Sequence, residues 1–172
     1  MAVDVNERGK RPLSAVAGPY GHPFHPLLVT VPIGAWVASI VFDLLSLIGD
    51  DPSAFTQGSL WLIGLGILGA LAAAIWGFMD LLAIPSGTTA RATAIRHMTL
   101  NLVVVALYAV NFMMRRGSPR DAAVETVPLL LSLVALALLS ASGWLGGKLA
   151  YRYGVRVADE ATQAEGFTAA QR

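Results

Sequence analysis

The sequence predicts an all-α fold, an integral membrane bundle of four transmembrane helices. Charged residues make up 13% of the 172 residues and hydrophobic residues 55%, which is too little polar surface to cover a soluble globule of this size. The apolar residues form four long runs, and the lysines and arginines cluster between them. A chain this short could not bury four helices that are apolar on every side.

The first predicted helix covers residues 26–48. This run has about the length needed to cross a hydrocarbon core of roughly 30 Å at about 1.5 Å per residue. Pro26 suits the first helical position, and the segment from Gly49 to Pro52 ends the helix. Pro32 lies inside the run, so we expect a local bend there.

The second predicted helix covers residues 58–84 and is stopped by the Pro85-Ser86-Gly87 turn. It is dense in small residues spaced four apart, which let helix backbones approach each other closely. We therefore expect this helix to be central to the bundle. The small residues form two neighbouring faces, one with Gly66, Ala70 and Ala74 and the other with Gly69, Ala73 and Gly77.

The third and fourth predicted helices cover residues 92–114 and 127–147. The third is the shortest and most polar, and it ends at Arg115-Arg116-Gly117. The fourth carries small residues suited to close packing, namely Ser142, Gly143, Gly146 and Gly147. Outside the membrane domain of residues 21–157 we expect a polar, uncleaved N-terminal segment, 1–20, and a polar, disordered C-terminal tail, 158–172.

Positive charge near the helix ends predicts the orientation in a bacterial inner membrane. Basic residues are enriched on the cytoplasmic side of membrane proteins, and one side of this chain carries more of them. We therefore predict that both termini are cytoplasmic. The richer side holds Arg8, Lys10, Arg11, Arg91, Arg96, Lys148, Arg152 and Arg156, and the other holds Arg115, Arg116 and Arg120.

Polar residues converge at the predicted cytoplasmic end. His22, His25, Asp80, His97 and Asn101 all fall there by topology. Because an ionisable residue in a membrane span is costly, Asp80 should face the bundle and find a partner. The nearest candidates by topology are His97 and Arg96.

Asp43 stands apart near the outer end of the first helix. Its expected partners are serine or threonine hydroxyls on neighbouring helices, or the amide of Asn111. We interpret Asp43, Asp80 and Asn101 as structural polar residues.

Several segments together resemble the bacterial membrane family known as domain of unknown function 2231 (DUF2231). The resemblance runs from Gly21 to Val157 and implies four membrane helices and no established reaction. Some members of the family resemble this chain but carry an additional, fused Rieske iron–sulphur domain. The resemblance therefore implies an electron-transfer setting. Tyr153 stands where relatives often have a histidine. The segments are Gly21 to Val29 with Pro32-Ile33, Gly77 and Asp80 with Ile84 to Gly87, His97 and Asn101, and Gly143 to Leu149 with Tyr151 and Gly154-Val155.

Three hypotheses account for the histidines. The absence of cysteine excludes thiolate ligands, so any redox cofactor needs other groups. In the haem hypothesis, His25 or His22 with His97 binds one b-type haem between facing helices. In the metal hypothesis, His22, His25, Asp80 and His97 bind a divalent ion. In the third, the polar residues only hold the bundle together.

The predicted function is that of a non-enzymatic membrane subunit associated with redox or respiratory chemistry. Its expected partners are the lipid bilayer and a redox or respiratory membrane protein, with no nucleic acid. The alternative is a structural or anchoring protein without a cofactor, whose tail beyond Val157 docks a cytoplasmic partner. A small transporter is a third possibility, but Asp43 is an isolated carboxylate and no continuous polar stripe forms an ion path.

Overall fold

The computed structural model of the chain describes residues 5–119 and 121–167. The described residues form helices and turns without a strand, which confirms the predicted all-α class. Arg120 and the last part of the predicted tail, 168–172, lie outside the described residues. The elements are α1 (Val5–Lys10), a 3-10 turn (Ala15–Ala17), α2 (Phe24–Leu28), α3 (Thr30–Ile48), α4 (Pro52–Ala83), α5 (Thr89–Gly117), α6 (Thr126–Gly147), a π-helical turn (Lys148–Arg152) and α7 (Glu160–Glu165).

Four helical segments of the described chain are long and apolar enough to cross a membrane, as predicted. They are Phe24–Ile48, Pro52–Ala83, Thr89–Gly117 and Thr126–Arg152. Large apolar side chains such as Leu68 and Ile75 are more than half exposed. In water such a surface would be unfavourable, but acyl chains solvate it.

Two of the helices begin before the predicted positions because polar capping residues precede the apolar runs. At the start of α4, the Asp51 carboxylate accepts a hydrogen bond from the amide of Ser53, and Pro52 occupies the first helical position. At the start of α5, the Thr88 hydroxyl accepts a hydrogen bond from the amide of Arg91. Hydropathy marks where the hydrocarbon core ends, whereas these caps mark where the helices end.

The predicted bend in the first span appears as a break between α2 and α3 at Val29. Pro32 lies one turn later, in α3. A proline has no N–H to donate to the carbonyl four residues earlier, and its ring crowds that carbonyl, here the one of Leu28. The interruption is slight, since Val29 keeps helical backbone angles and α2, which carries His25, continues into α3 as one span.

The centre of the bundle is built around a stacked aromatic pair. The rings of Trp36 on α3 and Tyr108 on α5 lie 4.2 Å apart and nearly parallel, and both side chains are buried. A Cβ on Gly66 would come within 2.3 Å of the Trp36 indole nitrogen, so only glycine leaves room for the ring at that point. The predicted small-residue face of α4 therefore accommodates a large side chain from α3.

The up-and-down order of the helices creates two distinct ends. The connections 49–51 and 118–125 form one end, which we call the loop end. The other end, here the termini end, carries the N-terminal segment 5–23, the turn 84–88 and the C-terminal residues 148–167. The polar side chains inside the bundle gather near these two ends.

Candidate functional site

The termini end brings together two of the three histidines. His25 on α2 and His97 on α5 lie with their ring centroids 6.3 Å apart and their planes at 90°. The two residues belong to elements that are far apart in sequence, and α4 and α6 complete the site around them. The pair brings together two of the residues that the haem and metal hypotheses name.

Each ring is oriented by a backbone carbonyl on the neighbouring helix. His25 Nδ1 lies 2.9 Å from the carbonyl oxygen of Ala73, and His97 Nδ1 lies 2.8 Å from that of Ser142. A carbonyl can only accept, so both Nδ1 atoms carry the proton and donate it. In the neutral imidazoles Nε2 then holds the lone pair. Histidines that bind a metal through Nε2 are commonly oriented in this way.

Two glycines make room for these rings. A Cβ on Gly77 would lie 2.9 Å from both Cε1 and Nδ1 of His25, and a Cβ on Gly146 would lie 3.1 Å from Cε1 of His97. The helices α4 and α6 can therefore approach the imidazoles more closely than any other residue type would permit. The glycines predicted to pack helix against helix here pack helix against histidine.

Asn101 and Ser142 complete the surroundings of His97. The Asn101 side-chain nitrogen lies 3.1 Å from His97 Nε2 and 2.8 Å from the Ser142 hydroxyl. The amide thus donates to the lone pair that a metal would otherwise use. A ligand entering at His97 must displace this amide, which also donates to the His97 carbonyl at 2.9 Å.

His22 and Asp80 lie outside this pair. His22 is exposed and precedes α2, and among the described residues no group of three or more histidine or acidic side chains is arranged to hold a metal ion. The four-residue ligand set of the metal hypothesis is therefore not assembled within the described parts of the chain.

The partner of Asp80 is Arg156, and not His97 or Arg96 as predicted. Arg156 Nε and Asp80 Oδ1 lie 2.9 Å apart, an ion pair whose atoms are not aligned for a hydrogen bond. Arg156 follows the last span, and its backbone takes a φ of 60° that turns the chain back over the bundle. Helix order alone does not reveal such a turn.

Arg156 also ties the two terminal segments together. Its Nη2 donates to the carbonyls of Ala17 and Gly18, and its backbone amide donates to the carbonyl of Gly9. Nearby, the backbone amide of Asp159 donates to the Tyr20 hydroxyl. The N-terminal and C-terminal segments thus form one cap over the histidine end of the bundle.

A second polar cluster lies at the loop end, and sequence reasoning found only part of it. Asp43 binds Arg115 through two hydrogen bonds of 2.6 and 2.8 Å, and both side chains are buried. Asn111 does take part, but as a partner of Arg115, from which it accepts at 2.7 Å. Ser59 and Ser132 also accept from the guanidinium.

Arg115 was placed among the loop arginines because it lies at the end of an apolar run. The long side chain instead reaches back into the bundle along α5. A signal in the sequence was available, since Arg115 lies one helical turn after Asn111 and at a depth similar to that of Asp43. A buried carboxylate in a span calls for a cation, and Arg115 is the basic residue at that level.

Comparison with known proteins identifies one family. A family model described as "Predicted membrane protein (DUF2231)" matches residues 21–159, which include all four spans and both polar clusters. The match confirms the resemblance found in the sequence. No curated protein and no solved structure matches the chain.

Proposed function

The chain belongs to the DUF2231 family of multi-pass membrane proteins, and we propose that it is a non-enzymatic subunit that binds one b-type haem between His25 and His97. The observation that supports this proposal is the orientation of the two imidazoles. Both Nδ1 atoms donate to backbone carbonyls, so Nε2 is the potential ligand atom of each ring, and on His97 it becomes available once the Asn101 amide has moved away. A bound haem would supply one-electron transfer to a redox partner in the membrane.

The two rings are close enough for both histidines to hold the same cofactor. Imidazole nitrogens bind metals at about 2.0–2.1 Å, so the centroids of two imidazoles that hold the same metal would lie about 6 Å apart or less. The observed separation is 6.3 Å. His25 and His97 would hold a haem through their imidazole nitrogens, whereas a divalent ion without a porphyrin would need further protein ligands.

The visible spectrum of the detergent-purified protein, oxidised and then reduced with dithionite, tests this proposal. Expression with ample haem should give a Soret band that H25A and H97A each abolish. His22→Ala is the matched control, because His22 is exposed and lies outside the pair; H22A should keep the band. A colourless wild-type protein, or a band that H22A removes instead, contradicts the proposal.

The second candidate is a structural or anchoring protein in which the polar residues only hold the bundle together. The cap formed by the two terminal segments favours it, because Lys10 and Glu160 form an ion pair of 2.7 Å across that cap. Deletion of the chain after Val157 removes this contact. If copurifying partners remain bound to the membrane after the deletion, the anchoring function of the tail is ruled out.

We further propose that the termini end faces the cytoplasm of a bacterial cell, with the chain in the inner membrane. The support is the excess of basic residues at that end. Since Arg115 is buried with Asp43, it does not add to the charge of the loop end as an exposed arginine would. A reporter that works only in the cytoplasm should be active when it is fused to the C-terminus. If only a reporter that works outside the cytoplasm is active there, the orientation is the opposite one.

A further inference from the structure

We propose that the termini end carries a binding site for an anionic phospholipid, independent of the histidine pair. A cavity of about 420 Å³ lies between the N-terminal segment and the turn that joins α4 to α5. Its lining combines cationic and apolar side chains, as the junction between a lipid headgroup and its acyl chains requires. The lining includes Arg8, Arg11, Arg91, Leu13, Leu82 and Ile84.

Two of the three arginines contact the rest of the protein. Arg91 Nη1 donates to the carbonyls of Leu81 and Ile84, at 3.1 and 2.7 Å, and so caps the end of α4. The other N–H groups of Arg91 have no partner among the described residues. Arg11 stacks over the ring of Tyr20 at 5.5 Å. A guanidinium fixed in this way presents paired donors that match phosphate oxygens.

The third arginine supplies an uncommitted charge. Arg8 is exposed and makes no hydrogen bond or ion pair with the described residues. Glu7 also lines the cavity and opposes an anion. Asp159, whose charge interacts with that of Arg11, lies outside the lining. Within the lining, three guanidinium groups against one carboxylate leave a positive charge, which complements a phosphate.

The position of the cavity selects a phospholipid over free phosphate. It lies at the end of the α4 span, where headgroups meet the hydrocarbon core. Leu13 and Leu82 are about half exposed beside it. Phe78, also half exposed, lies one turn before Leu82 on the same face of α4 and extends the apolar surface into the membrane. A free phosphate ion has no apolar part that could contact this surface.

Native mass spectrometry of the detergent-purified full chain, with added phosphatidylglycerol or phosphatidylcholine of the same acyl chains, tests the site. The wild type should retain phosphatidylglycerol in preference to phosphatidylcholine. R8Q/R11Q should weaken phosphatidylglycerol binding about tenfold or more, because hydrogen bonds to charged groups each correspond to roughly ten- to a hundredfold in affinity. R8K/R11K, which keeps the charges but not the paired guanidinium donors, should bind with an affinity between those of R8Q/R11Q and the wild type.

The matched control is R96Q/R152Q, which removes two exposed arginines from the same end but outside the cavity. It should bind phosphatidylglycerol like the wild type. Should R8Q/R11Q fail to fold, R8Q alone serves, since its side chain contacts no described partner. Equal binding of both lipids, equal weakening by the control pair, or displacement of phosphatidylglycerol by equimolar inorganic phosphate would each overturn the proposal.

Discussion

The two ends of the bundle handle buried polar groups in different ways. At the loop end, Arg115 donates from all three of its guanidinium nitrogens, and the carboxylate of Asp43 accepts with both oxygens. At the termini end, Arg156 Nε and Nη1 and Asp80 Oδ1 are buried without an aligned hydrogen-bond partner. The loop end is a completed network, and the termini end is not.

The two ends should therefore differ in how much their polar contacts stabilise the bundle. A fully satisfied polar network stabilises and rigidifies the elements that it joins. The loop-end network joins α3, α4, α5 and α6. We therefore expect the loop-end network to contribute more to the stability of the bundle than the polar contacts at the termini end.

The largest expected effect comes from breaking the loop-end ion pair. Asp43→Ala leaves the buried Arg115 guanidinium unpaired, which should lower the free energy of unfolding by about 3–5 kcal/mol. Asp50→Ala, an exposed carboxylate at the same end, should change it by less than about 0.5 kcal/mol. Unfolding of both variants in the same detergent measures the difference.

The double variant D43L/R115L sharpens this test. Removing both charges leaves no unpaired ion, so it should recover much of the stability that D43A loses. A D43A protein as stable as D50A would show that the loop end does not carry the stability of the bundle.

Two asparagines on α5 offer a matched comparison between the ends. Asn111 is buried and binds Arg115, the Pro128 carbonyl and Ser132. N111A should therefore cost about 1–2 kcal/mol in unfolding free energy. N101A, at a half-buried position beside His97, should cost less than about 1 kcal/mol. If N101A is the more damaging of the two, the division between the ends is wrong.

A change at the termini end should release the cap rather than unfold the bundle. Arg156→Ala removes the contacts to Asp80, Ala17 and Gly18. We expect faster proteolysis of both terminal segments. The unfolding free energy of the spans should fall by no more than about 3 kcal/mol. Arg152→Ala, an exposed neighbour, is the control. Equal rates of proteolysis in both variants would show that Arg156 does not hold the cap together.

The smallest expected effect is a dependence of the cap on pH. The hydrogen bond from Lys10 lowers the pKa of Glu160, and the same contact raises the pKa of Lys10. A carboxyl with a lowered pKa stabilises the folded state above its ordinary pKa, and this stabilisation is lost as the pH falls through the lowered value. The cap should therefore hold at neutral pH and loosen in acid.

A nitroxide label can follow this loosening, since the chain has no native cysteine. Attached at Ala164→Cys in α7, it should become more mobile as the pH falls. The same label in an E160Q background should show weaker pH dependence, because the Lys10 pair is then absent at every pH. Identical titrations in both backgrounds would assign the loosening to other groups.

The sequence predicts the spans well because hydropathy is a local property. Each span needs only a run of apolar residues of sufficient length, and the four runs are present. The proximity of His25 and His97 also followed, because both lie at the same end of their helices. Helix order alone sufficed for that result.

The ion pairs were harder to predict because their partners are distant in sequence. Asp43 and Arg115, and likewise Asp80 and Arg156, meet only in the folded bundle. One arginine reaches back into the membrane, and the other depends on a left-handed backbone turn. Neither the side-chain direction nor the turn has a periodic signature in the sequence.

The position of Arg156 has a consequence for biosynthesis. This residue follows the last span, yet it contacts Gly9, Ala17 and Gly18 near the start of the chain. Those contacts can form only after all four helices have been inserted, so the cap closes last. A chain truncated before residue 156 would lose these contacts and hold its N-terminal segment only through others, such as the hydrogen bond from the Trp76 indole to the Val16 carbonyl. The contacts of Arg156 therefore distinguish a chain with all four helices inserted from one that is incomplete.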